Sequence, residues 1–107
     1  VREHYRANRA AYVEKARVRN AEQTRINAEF MIDYLSHHPC VDCGESDIVV
    51  LEFDHLRDKV ADVSVLARGG YSVEAIKREI DKCEVVCANC HRRRTAKRAD
   101  TYRYRLK

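Results

Sequence analysis

The chain has 107 residues, with 21 Lys or Arg against 17 Asp or Glu, five His, five Cys, one Pro, three Gly and no Trp. That length suits a single domain, and a charged share of 36% leaves room for only a small core. No run of about 18 apolar residues exists, which excludes a transmembrane helix. The charged N-terminus VREHYRANRAAYVEKARVRN lacks the apolar centre of a signal peptide. A cytoplasmic protein without a membrane partner is therefore expected. Five cysteines in such a chain fit metal binding or chemistry better than a disulfide framework.

Charge is segregated along the chain. Residues 1–39 carry a net +2, residues 40–90 a net −5 and residues 91–107 a net +7. An acidic centre followed by a basic tail suits a metal site beside a polyanion-binding arm, although a solvated tail explains the charge run alone.

In chain order, residues 2–36 contain no Pro or Gly and predict a helix. Its first half has a thin apolar face of Tyr5, Tyr12 and Ala16. Its second half carries Ile26, Phe30 and Tyr34 with Met31 and Leu35, a stripe able to pack on a core. Asn20 is a candidate break. Pro39 disfavours helix at His38 and ends the element. Residues 44–47 predict a turn, residues 48–53 a strand, and Gly69-Gly70 a breaker. Ser72 is a candidate N-cap for a helix to about Asp81 that buries Val73, Ile76 and Ile80. Residues 84–86 predict a second short strand, and the basic segment from Ala88 to the end a helix. The expected class is α+β, divided into a helical arm over 1–38 and a metal-bound domain over 39–107.

Cys40-Val-Asp-Cys43 and Cys87-Ala-Asn-Cys90 are two C-x2-C pairs separated by 43 residues. Each presents two thiolates to one tetrahedral ion, so together they predict a closed structural zinc site. Such a site turns metal affinity into folding free energy, which a chain with so few large apolar residues needs. Cys83 is the odd one out and reads as a buried core thiol.

Between the pairs lies Leu51-Glu52-Phe53-Asp54-His55-Leu56, and His91 follows the last zinc cysteine. Phosphate chemistry by a Lewis acid needs hard or imidazole ligands and a group that takes a proton near neutral pH. Asp54 and His91 offer the ligands, and imidazole at His55 suits the base. Neighbours on a regular strand point to opposite faces, so a bulge or strand end at Phe53–Asp54 is expected.

Asp54-His55 between the zinc pairs, followed by Cys87-Ala-Asn-Cys90-His91-Arg-Arg-Arg-Thr95, resembles the HNH endonucleases, over about residues 40–98. The zinc-bound arrangement is similar to that of phage endonuclease VII. The resemblance implies a ββα-metal (His-Me finger) core, hydrolysis of DNA phosphodiesters to 5′-phosphate and 3′-hydroxyl ends, His55 as general base, and a catalytic Mg2+, Mn2+ or other divalent ion on Asp54 and His91. The family's middle Asn, about five residues before the third cysteine, is replaced here by Lys82.

Arg92, Arg93, Arg94, Lys97 and Arg98 follow the site. On a helix Arg94, Lys97 and Arg98 share a face, which is expected to hold phosphates. Two other readings use the same residues: a non-catalytic zinc-ribbon module that binds nucleic acid, and a homodimer formed through the N-terminal helix.

Overall fold

A computed structural model describes residues 2–107, with side chains from Asn8 onward. The side chains of His4, Tyr5 and the arginines before Asn8 lie outside the described residues.

Helix α1 spans Arg2–Ser36. At about 1.5 Å per residue it is some 52 Å long, and it runs through Asn20 without a break. The absence of Pro and Gly explains its continuity, because nothing interrupts the backbone ladder. Its last turn is closed by its own histidines. The His38 Nδ1–H donates to the Tyr34 carbonyl (2.6 Å) and the ring stacks on Tyr34, while His37 Nδ1–H donates to Asp33 O (2.8 Å). These contacts add a side-chain donor to carbonyls of the helix end, Tyr34 O also accepting from the His37 N–H (3.1 Å).

The buried stripe of α1 differs from the expected one by one position. Phe30, Met31, Tyr34 and Leu35 pack inward, but Ile26 is exposed and Asn27 is fully buried instead. Asn27 Nδ2 donates to Ala67 O (3.1 Å) and Tyr71 O (2.8 Å), and its Oδ1 accepts from Gln23 (2.9 Å). A buried amide is tolerated because its donors and acceptor all have partners.

After α1 the chain makes a tight knuckle at Cys40–Gly44, closed by Gly44 N–H to Cys40 O (2.8 Å). Gly44 has a φ of +81°, which suits a residue without Cβ. Residues 48–50 form a 3-10 turn capped by Asp47, not strand. Strand β1 is Leu51–His55, shifted towards the C-terminus of the expected one. It pairs antiparallel with β2 (Cys83–Cys87) in a two-stranded sheet, with Leu51 opposite Cys87 and His55 opposite Cys83. The pairing runs through Asp54 without the expected bulge. Between the strands lie α2 (Val63–Arg68) and α3 (Val73–Ile80), the latter capped by the Ser72 hydroxyl accepting from Ala75 N–H (3.2 Å). Helix α4 (Ala88–Ala99) follows β2 directly. The basic segment is not one helix, because Asp100 adopts a left-handed φ of +50° and α5 (Tyr102–Arg105) starts anew.

Two apolar clusters form the core. One joins the cysteine knuckles to Leu51, Val85 and Val86, and the other joins α2 and α3 through Val63, Leu66, Ile76 and Ile80. Tyr34 and Phe53, 5.9 Å apart between ring centroids, belong to both clusters and tie α1 to the sheet. Among the described residues no helix is long and apolar enough to cross a membrane.

Candidate functional site

The β1–β2 pairing places the two C-x2-C knuckles side by side, since Leu51 and Cys87 are opposite one another and Val41 N–H donates to Val85 O (3.0 Å). The sulfurs of Cys40, Cys43, Cys87 and Cys90 all lie within 4.8 Å of one another. Cys43 and Cys87 are 3.7 Å apart. Four sulfurs about 2.3 Å from a tetrahedral ion stand about 3.8 Å apart, so the four fit one metal ion. Burial, with the neighbouring thiols Cys87, Cys43 and Cys40, pushes the Cys90 thiol up to about 12. Burial and the neighbouring thiols disfavour a thiolate at Cys90, a cost that a cation between the four sulfurs would relieve. Cys83 stands apart from this cluster. It is half-buried, its thiol donates to Glu79 O (3.3 Å), and burial pushes it up to about 11. Among the described residues the four cysteines are the only group of this kind.

Asp54 and His55 alternate across β1. Asp54, 2% exposed, faces α4. Its two oxygens accept a paired hydrogen bond from Arg98 (2.8 and 2.7 Å) and a third from Arg94 (2.8 Å). Arg98, against the opposing effect of burial and with help from Arg94, holds this carboxyl down at about 2, against an ordinary 3.8. Arg94 also makes a paired contact with Asp42 (2.7 and 2.8 Å) and one with Glu84 (3.0 Å). The face expected to hold phosphates is therefore partly turned inward. Arg94 and Arg98 are engaged by carboxylates, while Arg92 and Lys97 stay exposed. Arg93 is exposed and reaches Cys90 Sγ (3.6 Å).

His91 closes the first turn of α4, next to the last knuckle. Its Nδ1 is 2.8 Å from Glu52 Oε1, and its Nε2 faces Asp54 Oδ1 at 3.5 Å. Glu52 and Asp54 share one face of β1 by their spacing of two. His55 turns the other way, to α3, where its Nε2 is 2.8 Å from Glu79 Oε2. Each histidine thus has one ring nitrogen tied to a carboxylate. Such a tie sets which nitrogen carries the proton and leaves the other to act as ligand or base.

Both histidines line one hollow of about 280 Å³, together with Met31, Leu35, Phe53 and Val63. Asp54 reaches it through His91. A second hollow over Glu52, His91, Arg92 and Thr95 adjoins it. A third, of about 570 Å³, continues between α4 and α5 past Arg92, Arg93, Tyr102 and Arg103. The first and second share Glu52 and His91, and the second and third share Arg92 and Thr95.

Glu52 and Glu79 were not among the residues the sequence singled out. Glu79 carried a readable signal: it falls between Ile76 and Ile80 on the buried side of α3, where a carboxylate needs partners. No family model matches this chain, and neither a curated protein nor a solved structure similar to it is found.

Proposed function

We propose that this chain is a metal-dependent endonuclease of the HNH type, with a structural zinc ion on Cys40, Cys43, Cys87 and Cys90 and a ββα-metal core made of β1, β2 and α4. One observation carries the reading. His55 and His91 open on the same hollow beside the cysteine cluster, each with one ring nitrogen fixed by a carboxylate. A non-catalytic zinc ribbon has no need of that pair.

In this reading Glu52 accepts the His91 Nδ1–H, so Nε2 presents its lone pair towards Asp54 Oδ1. A hard carboxylate oxygen and an imidazole nitrogen, facing one another without a hydrogen bond, suit Mg2+, Mn2+ or a similar ion. A divalent ion held there by Asp54 and His91 would supply a Lewis acid for the charge that develops on the phosphate and the leaving oxygen. Asp54 shares its carboxylate between that role and Arg94 and Arg98. His55 takes the proton from the attacking water. The exposed cations Arg92, Arg93 and Lys97 hold the DNA backbone along α4, without sequence preference.

The test is nicking of plasmid DNA with Mg2+ or Mn2+. General-base help amounts to about 10²–10⁴ in rate. His55→Ala is expected to fold and keep zinc but to nick at least about a hundredfold more slowly, and undiminished nicking overturns the assignment. The engagement of Asp54 by two arginines favours one second reading, a zinc module that binds nucleic acid without cutting it. Binding with no metal-dependent nicking by the unaltered protein selects it.

A further inference from the structure

The geometry points to Glu79 as the positioning residue of the site: it fixes His55 in the Nε2–H tautomer, so that Nδ1 is the nitrogen that accepts the proton from water. This rests on the nuclease reading for its purpose, but its physical content does not.

Glu79 is 4% exposed, and its carboxylate is fully used. Oε2 lies 2.8 Å from His55 Nε2 and accepts from the Val60 N–H (3.1 Å), and Oε1 accepts from Lys82 Nζ (3.1 Å). Burial alone would push the Glu79 carboxyl up. The Val60 amide, His55 and Lys82 outweigh it and bring the group to about 2, against an ordinary 4.5. A carboxylate is an acceptor only, so the His55 nitrogen that faces it must be the one that carries hydrogen. The neutral imidazole then has its lone pair on Nδ1.

The same carboxylate braces the loop after the base. Lys82 Nζ donates to Asp58 O (3.0 Å) as well as to Glu79, and Leu56 N–H donates to Lys82 O (2.9 Å). Asp58 has a left-handed φ of +45°, which local contacts must hold in place. Lys82 thus bonds the loop from the position where the resembled family has its Asn. Its ammonium does so together with Glu79, and the pair ties imidazole, loop and α3 into one unit.

The experiment is long-range 1H–15N NMR of the 15N-labelled, zinc-loaded full chain, read beside plasmid nicking. The unaltered protein is expected to show His55 as a single Nε2–H tautomer. In Glu79→Leu a mixture of tautomers is expected, with nicking down at least about tenfold in kcat and KM for DNA little changed. Glu79→Gln keeps an acceptor for His55 and is expected to restore the single tautomer and much of the rate. A wild-type His55 in the Nδ1–H form, or a tautomer indifferent to Glu79→Leu, overturns the assignment. The wild-type spectrum decides it even if the Leu variant fails to fold. A correct tautomer in a protein that never nicks supports the tie and sinks the nuclease reading instead.

Discussion

The two sides of α4 carry the same kind of residue and do different things. Arg94 and the half-exposed Arg98 reach the sheet and neutralise Asp54, Asp42 and Glu84, whereas Arg92 and Lys97 make no such ion pair among the described residues. In the sequence these are one basic run. What separates them is the rotation of the helix about its axis, and Cys87 and Cys90 set that rotation by starting α4 inside the cysteine cluster. A charge run therefore divides into a half that meets carboxylates of the sheet and its knuckle and a half that faces outward.

The comparison breaks most completely if the clamp is removed. Apparent zinc-binding free energies in small domains reach about 10–16 kcal/mol, as large as the whole stability of an ordinary domain. Cys87→Ser, or a strong chelator, is expected to abolish the cooperative melt followed by circular dichroism, and a stable folded variant contradicts a structural metal. The next effect is acid sensitivity. Asp54 and Glu79 both have folded values near 2, below their ordinary 3.8 and 4.5. Their contribution is complete above about pH 4.5 and is lost as the pH falls towards 2, on the order of 2 kcal/mol for each. Denaturant melts at pH 5, 4 and 3 read this slope. Asp54→Asn is expected to flatten it, and since both proteins carry the same cysteines, acid release of the metal cancels in the difference.

Single changes on α4 sharpen the contrast. Arg94→Met leaves the buried Asp54 with Arg98 as its remaining guanidinium partner and is expected to destabilise the fold by about 3 kcal/mol, seen in thermal or denaturant melts. The smallest effect belongs to the outer side. Arg92→Ala is expected to leave the melt unchanged and to lower the slope of log affinity for duplex DNA against log salt by about 1. The opposite pattern, a melt shift at Arg92 and none at Arg94, reverses the assignment of the two sides.

The cysteine frame was legible because a four-thiolate site is written in spacing alone. The caps and helix ends at Ser72 and Pro39 were legible for a similar reason, since they depend on near neighbours. What escaped the sequence depends on distant partners. Ile26 and Asn27 exchange roles because Ala67 and Tyr71 offer carbonyls at the level of Asn27. The bulge expected at Asp54 is absent because the two neighbouring side chains find their partners on different sides of β1, Asp54 on α4 and His55 on α3. The strand at 48–50 became a 3-10 turn because the Asp47 carboxylate captures the Val49 amide (3.0 Å), a local competition that apolar composition does not reveal.

Asn27 has a further consequence. Residues 8–19 of α1 are almost wholly exposed, and the molecule measures 71 × 29 × 21 Å. Its radius of gyration of 19.2 Å compares with about 13 Å for a compact chain of this length. The apolar seam of this helix is narrow, and a slip by one turn, about 5.4 Å, would take Phe30, Met31, Tyr34 and Leu35 out of their places in the core. The amide of Asn27 also forbids the slip, because a turn in either direction carries its donors away from both carbonyls. It acts as the pin of a ruler: residues 2–19 project about 27 Å past the body, and this buried side chain helps to keep that reach constant.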